Sequence, residues 1–300
     1  MCIRDRISYS DLTRKTLVEV LKRQNPKRSK QESDHLDKIS NGAFTVTTGH
    51  QLMVCGGSAF FEVKIASTIA LAKTLSEDLQ HPVIPVFWMA SEDHDFEEIA
   101  SFEINGQIFT WKHEPVGGPV GRMLTKDLAL QLEAFVAEVD LNDAQRVMLL
   151  SRVEAYKSEP NLSSATRRIV REWAKDLGIL VLDGDDVQLK EYASHLWDKE
   201  LLGELGKEIK SQTIKLEDAG YKAQVFPREV NLFSLEDDTR TRIETINHRV
   251  SPVNTSPNAL VRPIFQEYVL PNLAYIGGGG ELAYWLQLSS TFEMLEITIP

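Results

Sequence analysis

The chain has 300 residues, 42% of them apolar and 26% charged, with a formal charge of −11. That length supports a large core in one big domain or two smaller ones, and the composition is that of an ordinary globular protein. The acidic balance argues against nucleic-acid binding, no run approaches eighteen apolar residues, and the N-terminus lacks a secretory pattern. A cytoplasmic protein with neither nucleic acid nor membrane as a partner is expected. Its two cysteines, Cys2 and Cys55, form no CxxC pair, which removes zinc-ribbon and thioredoxin readings.

In chain order, "MCIRDR" (1–6) matches no cap, strand or targeting signal and reads as an assembly scar rather than native sequence. Residues 11–40 are predicted helical, with Leu12, Leu17, Val18 and Leu21 at apolar positions and the polar run 24–34 as an interruption. "FTVTTGHQ" (44–51) is a β-branched strand ending in glycine. A helix is predicted over 58–75, where Phe61, Ile65, Ile69 and Leu75 recur at helical spacing and Ser58 offers an N-cap. "HPVIPVFWMA" (81–90) then reads as a parallel strand buried on both faces, completing a βαβ unit.

The character changes at 101–123, where Asn105-Gly106 between alternating segments signals a hairpin and the later glycines and prolines a loop. Residues 126–176 are mostly helical with a breaker at 157–161, and "GILVLDGDD" (178–186) is another buried strand ending in acids. A helix over 187–219 precedes short strands in 222–244, and residues 273–288 read as strand, glycine turn and helix. The apolar run "LEITIP" closes the chain as a strand with no turn after it, so the natural protein is expected to be longer. The fold class is α/β with an insertion. Its expected divisions are an N-terminal helical segment (1–40), a first core part (41–100), an inserted connective region of hairpin and helices (101–177), and the rest of the core with further inserted strands (178–300).

Ligands of open parallel sheets bind beyond the carboxyl ends of the strands, and three features fall there. The first is Gly49-His50-Gln51, where glycine permits close backbone approach and the side chains offer neutral donors; a plain turn and an anion site are both open, and neither a P-loop nor GxGxxG is present. The second is Glu92-Asp93-His94-Asp95. Asp95 with Glu98 fits a capping box, which leaves Glu92, Asp93 and His94 for metal binding or for polar recognition, with His94 as an acid or base. The third is the Gly277–Gly280 run before Glu281, with Tyr284 and Trp285 as walls for a ring or as core residues. Arg167 and Arg171 share a helix face that reads as solvated, and Asn258 and Arg262 could enter a pocket. Cys55 beside a glycine pair reads as a small apolar turn residue, with a nucleophilic role left open.

"TGHQ", "PVIPVFWMASEDHDFEEI", "PREVNLFSL" and "SPNALVRPIFQEYVLPNLAYIGGGGELAYWLQL" occur in an order that resembles the bacillithiol-biosynthesis cysteine-adding enzymes, the BshC family, over residues 15–300. The resemblance implies a Rossmann-like parallel core related to class I aminoacyl-tRNA synthetases, with connective-peptide insertions. It also implies a coiled coil, absent from this chain, through which the full-length protein forms a homodimer. The implied reaction is ligation of cysteine to the amino group of glucosaminyl-malate, with ATP or ADP as the expected cofactor and no metal required. Gly49, His50 and Gln51 would hold a phosphate or carboxylate, with His50 also counted among the catalytic candidates. Glu92, Asp93, His94 and Asp95 would bind the sugar, with His94 or an acid taking the amine's proton. Gly277, Gly278, Gly279, Gly280 and Glu281 would hold the nucleotide or the cysteine ammonium, while Asn258, Arg262, Tyr284 and Trp285 complete the substrate contacts. This chain departs from the family at His50, where glutamine is usual, and at Gly278-Gly279-Gly280, where Gly-Pro-Gly is usual. Other open readings are a nucleotide-binding scaffold or sensor, and a metal-dependent hydrolase built on His50, Asp93, His94 and Asp95.

Overall fold

Two serine-capped helices begin the computed structural model, which describes residues 9–114, 117–174, 177–236 and 239–300. The reading of residues 1–6 as a scar, and Pro115 and Val116 of the predicted loop, lie outside the described residues. Ser10 accepts from the Thr13 amide at the start of α1 (Asp11–Gln24), and Ser29 forms a reciprocal box with Glu32 at the start of α2 (Lys30–Ser40). That box draws "KQESD" into α2, so the connection between the helices is shorter than predicted.

The βαβ unit follows as β1 (Phe44–His50), α3 (Ala59–Asp78) and β2 (Val83–Met89). Ser58 occupies the N-cap of α3, but its hydroxyl makes no capping bond, contrary to the prediction. A short helix α4 (Phe96–Ile99) leads into the hairpin β3 (Ser101–Ile104) and β4 (Gln107–Thr110). Asn105 and Gly106 both take positive φ, 50° and 74°, as a tight two-residue turn requires.

Helices α5 (Lys126–Glu138), α6 (Asp143–Ser158) and α7 (Leu162–Trp173) fill the predicted helical run, with one more break where Asn142 boxes with Gln145. After β5 (Leu180–Asp183), the predicted single helix is three: α8 (Val187–Tyr192), α9 (Ser194–Leu201) and α10 (Glu204–Asp218), with Gly203 at φ 76° before the last. A small antiparallel sheet has the order β7 (Thr239–Arg242), β6 (Leu232–Glu236), β8 (Thr255–Pro257). The chain then gives α11 (Val261–Val269), β9 (Asn272–Ile276), α12 (Gly279–Trp285) and α13 (Ser289–Met294). "LEITIP" is not a strand: a turn at Leu295–Glu296 ends α13 and the remainder is irregular.

The main sheet has the order β5-β2-β1-β9 with every pairing parallel. The chain builds outward from β1 through β2 to β5 and returns to the other side of β1 with β9. This is the Rossmann-like arrangement, and the crevice where the order reverses opens above the carboxyl ends of β1 and β9. All seven residues of β2 are buried, as its unbroken apolar run predicts. Val86 and Trp88 face a core shared with α1, α9 and α11, while Phe87 and Met89 face a second core shared with α3 and α5–α7. Among the described residues no helix is long and apolar enough to cross a membrane.

Candidate functional site

A cavity of about 300 Å³ lies above the carboxyl ends of β1 and β2, beside that crevice, with Glu281 and Tyr284 of α12 in its wall. Its walls bring together Gly49–Gln51, Glu92 and Asp93, and Glu281 and Tyr284, which the sequence placed at three separate strand ends, with Asn258 and Arg262, the expected pocket residues of a later segment. His94, Asp95, Trp285 and Gly277–Gly280 are not among its lining residues.

At the end of β1 a Cβ on Gly49 would meet the Tyr275 hydroxyl at 3.0 Å, so the close approach needs glycine. The Gly49 carbonyl accepts from Lys64 Nζ at 2.6 Å. His50 packs against the edges of Phe60 and Phe61, and burial pushes its imidazole below the ordinary value, favouring the neutral ring. Gln51 donates to Asp93 Oδ2 at 2.8 Å and to Glu98 Oε2 at 2.5 Å. Glu98 is therefore engaged elsewhere, and the predicted capping box is half formed: Asp95 accepts from the Glu98 amide without a reciprocal bond.

The acids at the end of β2 have unequal surroundings. Glu92 is enclosed beside Lys190, whose Nζ lies 2.6 Å from both Glu92 Oε1 and Asp185 Oδ1. Burial pushes the Glu92 carboxyl upward, with Lys190 opposing. Burial also works to raise Asp93, but the Gln51 amide, the Arg240 charge and the His94 and Asp95 amides outweigh it and hold the carboxyl below the usual range. His94 is about half exposed, and its Nδ1 lies 2.9 Å from Arg240 Nη1. With a guanidinium donating to Nδ1, that nitrogen is an acceptor already in use, which corrects the view of His94 as the proton acceptor.

At β9, Glu281 accepts from Tyr275 Oη at 2.8 Å, Lys64 Nζ at 2.6 Å and the Gly278 amide at 2.9 Å. Burial alone would raise it, yet Lys64 and the Gly278 amide hold it below the ordinary value. Arg262 donates to Tyr284 Oη at 3.0 Å and Gln266 Oε1 at 3.1 Å. Asn258 Oδ1 receives the Leu260 and Val261 amides at the start of α11, so this cavity residue also shapes its own turn. Trp285 is 6% exposed and stacks on Tyr275 at 4.5 Å, which makes it a core residue and not a substrate wall.

Elsewhere the solvated face predicted for Arg167 and Arg171 is covered. Arg171 pairs with Glu32 at 2.6 Å and Arg167 lies 3.6 Å from Asp183. Cys55 sits at φ 57°, and burial pushes its thiol up to about 12, which removes the nucleophilic option. Among the described residues no group of three or more His, Cys, Asp or Glu is placed to hold a metal ion. His50 and His94 stand in separate aromatic settings, beside Phe60 and Phe61 and beside Phe233.

Sequence reasoning missed Lys64, Lys190, Arg240 and Phe233. Arg240 packs its guanidinium 3.8 Å over Phe233, donates to Ser256 Oγ at 3.0 Å and the Pro257 carbonyl at 2.9 Å, and reaches the cavity. The alternation "TRTR" (239–242) was its one available signal. The site thus combines three carboxylates in unequal surroundings (Glu92, Asp93 and Glu281) with a largely buried imidazole, His50, and two arginines, Arg240 and Arg262. Such a set can bind an ammonium, accept a proton and orient an anionic group.

Comparison with known proteins gives a match to the family model "Bacillithiol biosynthesis BshC, N-terminal Rossmann-like domain" over residues 3–251 and 246–300. A protein of Flavobacterium psychrophilum named "Putative cysteine ligase BshC" is 38% identical over 96% of this chain and 58% of its own length. Proteins of the same name from Flavobacterium johnsoniae and Cytophaga hutchinsonii are 37% and 34% identical, each over 98% of this chain and over 60% and 59% of their own lengths. The chain therefore spans about three fifths of the length of these relatives.

Proposed function

This chain belongs to the bacillithiol-biosynthesis BshC family, and from that premise we propose that its site serves amide-bond formation between the cysteine carboxyl and the amino group of glucosaminyl-malate. The observation that carries the reading is the unequal pair at the end of β2. Asp93, held by the Gln51 side chain and the His94 and Asp95 amides, is a fixed anion suited to binding an ammonium, while Glu92, enclosed beside Lys190 and pushed up by burial, is the better proton acceptor.

In the bond-forming step the amine nitrogen attacks the acyl carbon of cysteine. The new C–N bond forms, the activated oxygen leaves with its electron pair, and the nitrogen's proton passes to Glu92. Glu281, already held by Lys64, Tyr275 and the Gly278 amide, fixes the negative charge that faces the cysteine ammonium. His50, kept neutral by burial, donates or accepts a hydrogen bond without adding charge.

A free carboxylate needs activation, and ATP, when bound, would supply the group that turns it into an acyl donor. The residues present fit a phosphate-bearing activator. The first amides of α3 have no side-chain cap from Ser58, and a Cβ on Gly279 or Gly280 would meet nothing within 4 Å, leaving an open approach to the start of α12. Those amides and Gly49–Gln51 are the groups that would hold it.

The test is full-length protein with cysteine, glucosaminyl-malate and ATP, read by mass spectrometry for the thiol product and for AMP or ADP. Asp93→Asn and Glu92→Gln should each lower product formation by at least about 100-fold while circular dichroism stays native. Wild-type turnover in both variants would sink the assignment. Nucleotide binding with no amide product would favour the scaffold reading instead.

A further inference from the structure

We infer that a second depression beside the main cavity is a carboxylate subsite formed by Arg228 and Arg242, receiving the acidic end of the substrate whose amine lies at Asp93; this rests on the reading just given. The second cavity measures about 350 Å³ and shares Phe233, Asn258 and Ala259 with the main one as a common wall.

Strand geometry explains how the arginines arrive. In the β6–β7 hairpin Phe233 lies opposite Arg242 and Leu235 opposite Arg240, so alternation puts both arginines on the face that carries Phe233. The ring then serves both, with Arg240 at 3.8 Å and Arg242 at 5.7 Å from its centroid.

Their remaining commitments differ. Arg240 donates to His94, Ser256 and the Pro257 carbonyl, and it is spoken for. Arg242 and Arg228 are exposed, and neither guanidinium has a hydrogen bond or ion pair with another described residue. Among the described residues no acid lines this second cavity, although the chain as a whole carries a charge of −11. Two guanidiniums with no hydrogen-bond or ion-pair partner among the described residues thus face one depression, and a planar carboxylate matches their fork geometry.

The two cavities together are polarised. Glu92, Asp93 and Glu281 supply the negative end, and Arg228 and Arg242 the positive end, with Phe233 between them. A substrate with an amine at one end and carboxylates at the other fits that polarity in one orientation only. The malyl group would lie against Arg228 and Arg242.

Calorimetry on this chain tests it, with L-malate and glucosamine as separate probes. We expect malate affinity to fall about tenfold in R242Q and in R228Q, and saturable binding to vanish in the double variant, with glucosamine binding unchanged in all three. D93N should show the reverse pattern. In full-length protein R242Q should raise the KM for glucosaminyl-malate about tenfold and leave kcat unmoved. The subsite is overturned if wild-type protein shows no saturable malate binding, if the double variant binds malate as well as wild type, or if sulfate competes equally with malate. Absence of amide product alongside the expected malate pattern would sink the ligase reading and leave the subsite standing.

Discussion

Lys190→Met is the substitution that most directly probes how the acids at the rim are held. Lys190 is fully buried, and its Nζ lies 2.6 Å from Glu92 and from Asp185. Attraction at that distance is about 6 kcal/mol per contact at an effective dielectric of about 20, and the cost of burying the ions offsets most of it. Removing one partner of a buried pair leaves a charge uncompensated and typically costs about 3–5 kcal/mol. Asp185 keeps a bidentate bond to Arg122, so Glu92 is the group left exposed to the loss, and the low end, about 3 kcal/mol, is expected. The pH dependence follows. Without Lys190, burial raises the folded-state value of Glu92 further above the unfolded one, so the deficit appears above about pH 4, the ordinary carboxyl range, and grows as pH rises. Urea unfolding followed by tryptophan fluorescence at pH 5 to 8 reads this directly. Adding Glu92→Gln to the variant should recover part of the loss, as coupled neighbours require. A deficit below about 0.5 kcal/mol at pH 7, or one that does not vary with pH, would refute the account.

Trp285→Ala should cost about 3–5 kcal/mol by emptying the space against Tyr275, whereas Tyr284→Phe, which loses only its bond to Arg262, should leave unfolding within about 1 kcal/mol of wild type; equal effects would contradict the core placement. Cys55 should resist iodoacetamide at pH 8 in native protein and be alkylated in urea, by peptide mass mapping, because its thiol is raised to about 12. Glu200 is fully buried with its carboxyl raised to about 7, so its charged form costs stability as pH rises from about 4.5 toward 7 and the cost persists above. Glu200→Gln should therefore gain on wild type by up to about 3 kcal/mol at pH 8, with the gain shrinking to near zero by about pH 4; a pH-independent difference would refute it.

The strands and turns that position the site were legible because they follow from local chemistry. The unbroken apolar run of β2, the Asn105-Gly106 turn and the glycine exit of β1 each have one conformational solution that suits them. Counterions were not legible, since nothing local to Glu92 points to Lys190, nor anything near Asp93 to Arg240. The same limit explains Arg167 and Arg171. Their four-residue spacing reveals a shared face, but whether that face meets water or Asp183 and Glu32 depends on how α7 packs. Trp285 failed as a substrate wall for a related reason: an aromatic near a glycine turn suits a pocket or a core, and only the position of Tyr275 decides. "LEITIP" has strand-like residues but no strand to pair with, and a positive φ at Glu296 turns it away from the helix instead.

Three acids at the sheet's carboxyl rim are each matched to a cation from a different element. Lys64 of α3 reaches Glu281, Lys190 of α8 reaches Glu92, and Arg240 of β7 stands by Asp93. Because these cations come from three directions and two are buried, the carboxylates are oriented before any ligand arrives, and little reorganisation is left for the reaction step. The same arrangement separates roles within one short run of sequence. Asp93 gains turn amides and a guanidinium that favour its charge, whereas Glu92, one residue earlier, points into a drier place where a proton is better tolerated. Glu92 lies in the turn at Ser91–Glu92 and Asp93 directly after it, so neighbouring acids met two environments and acquired two chemistries.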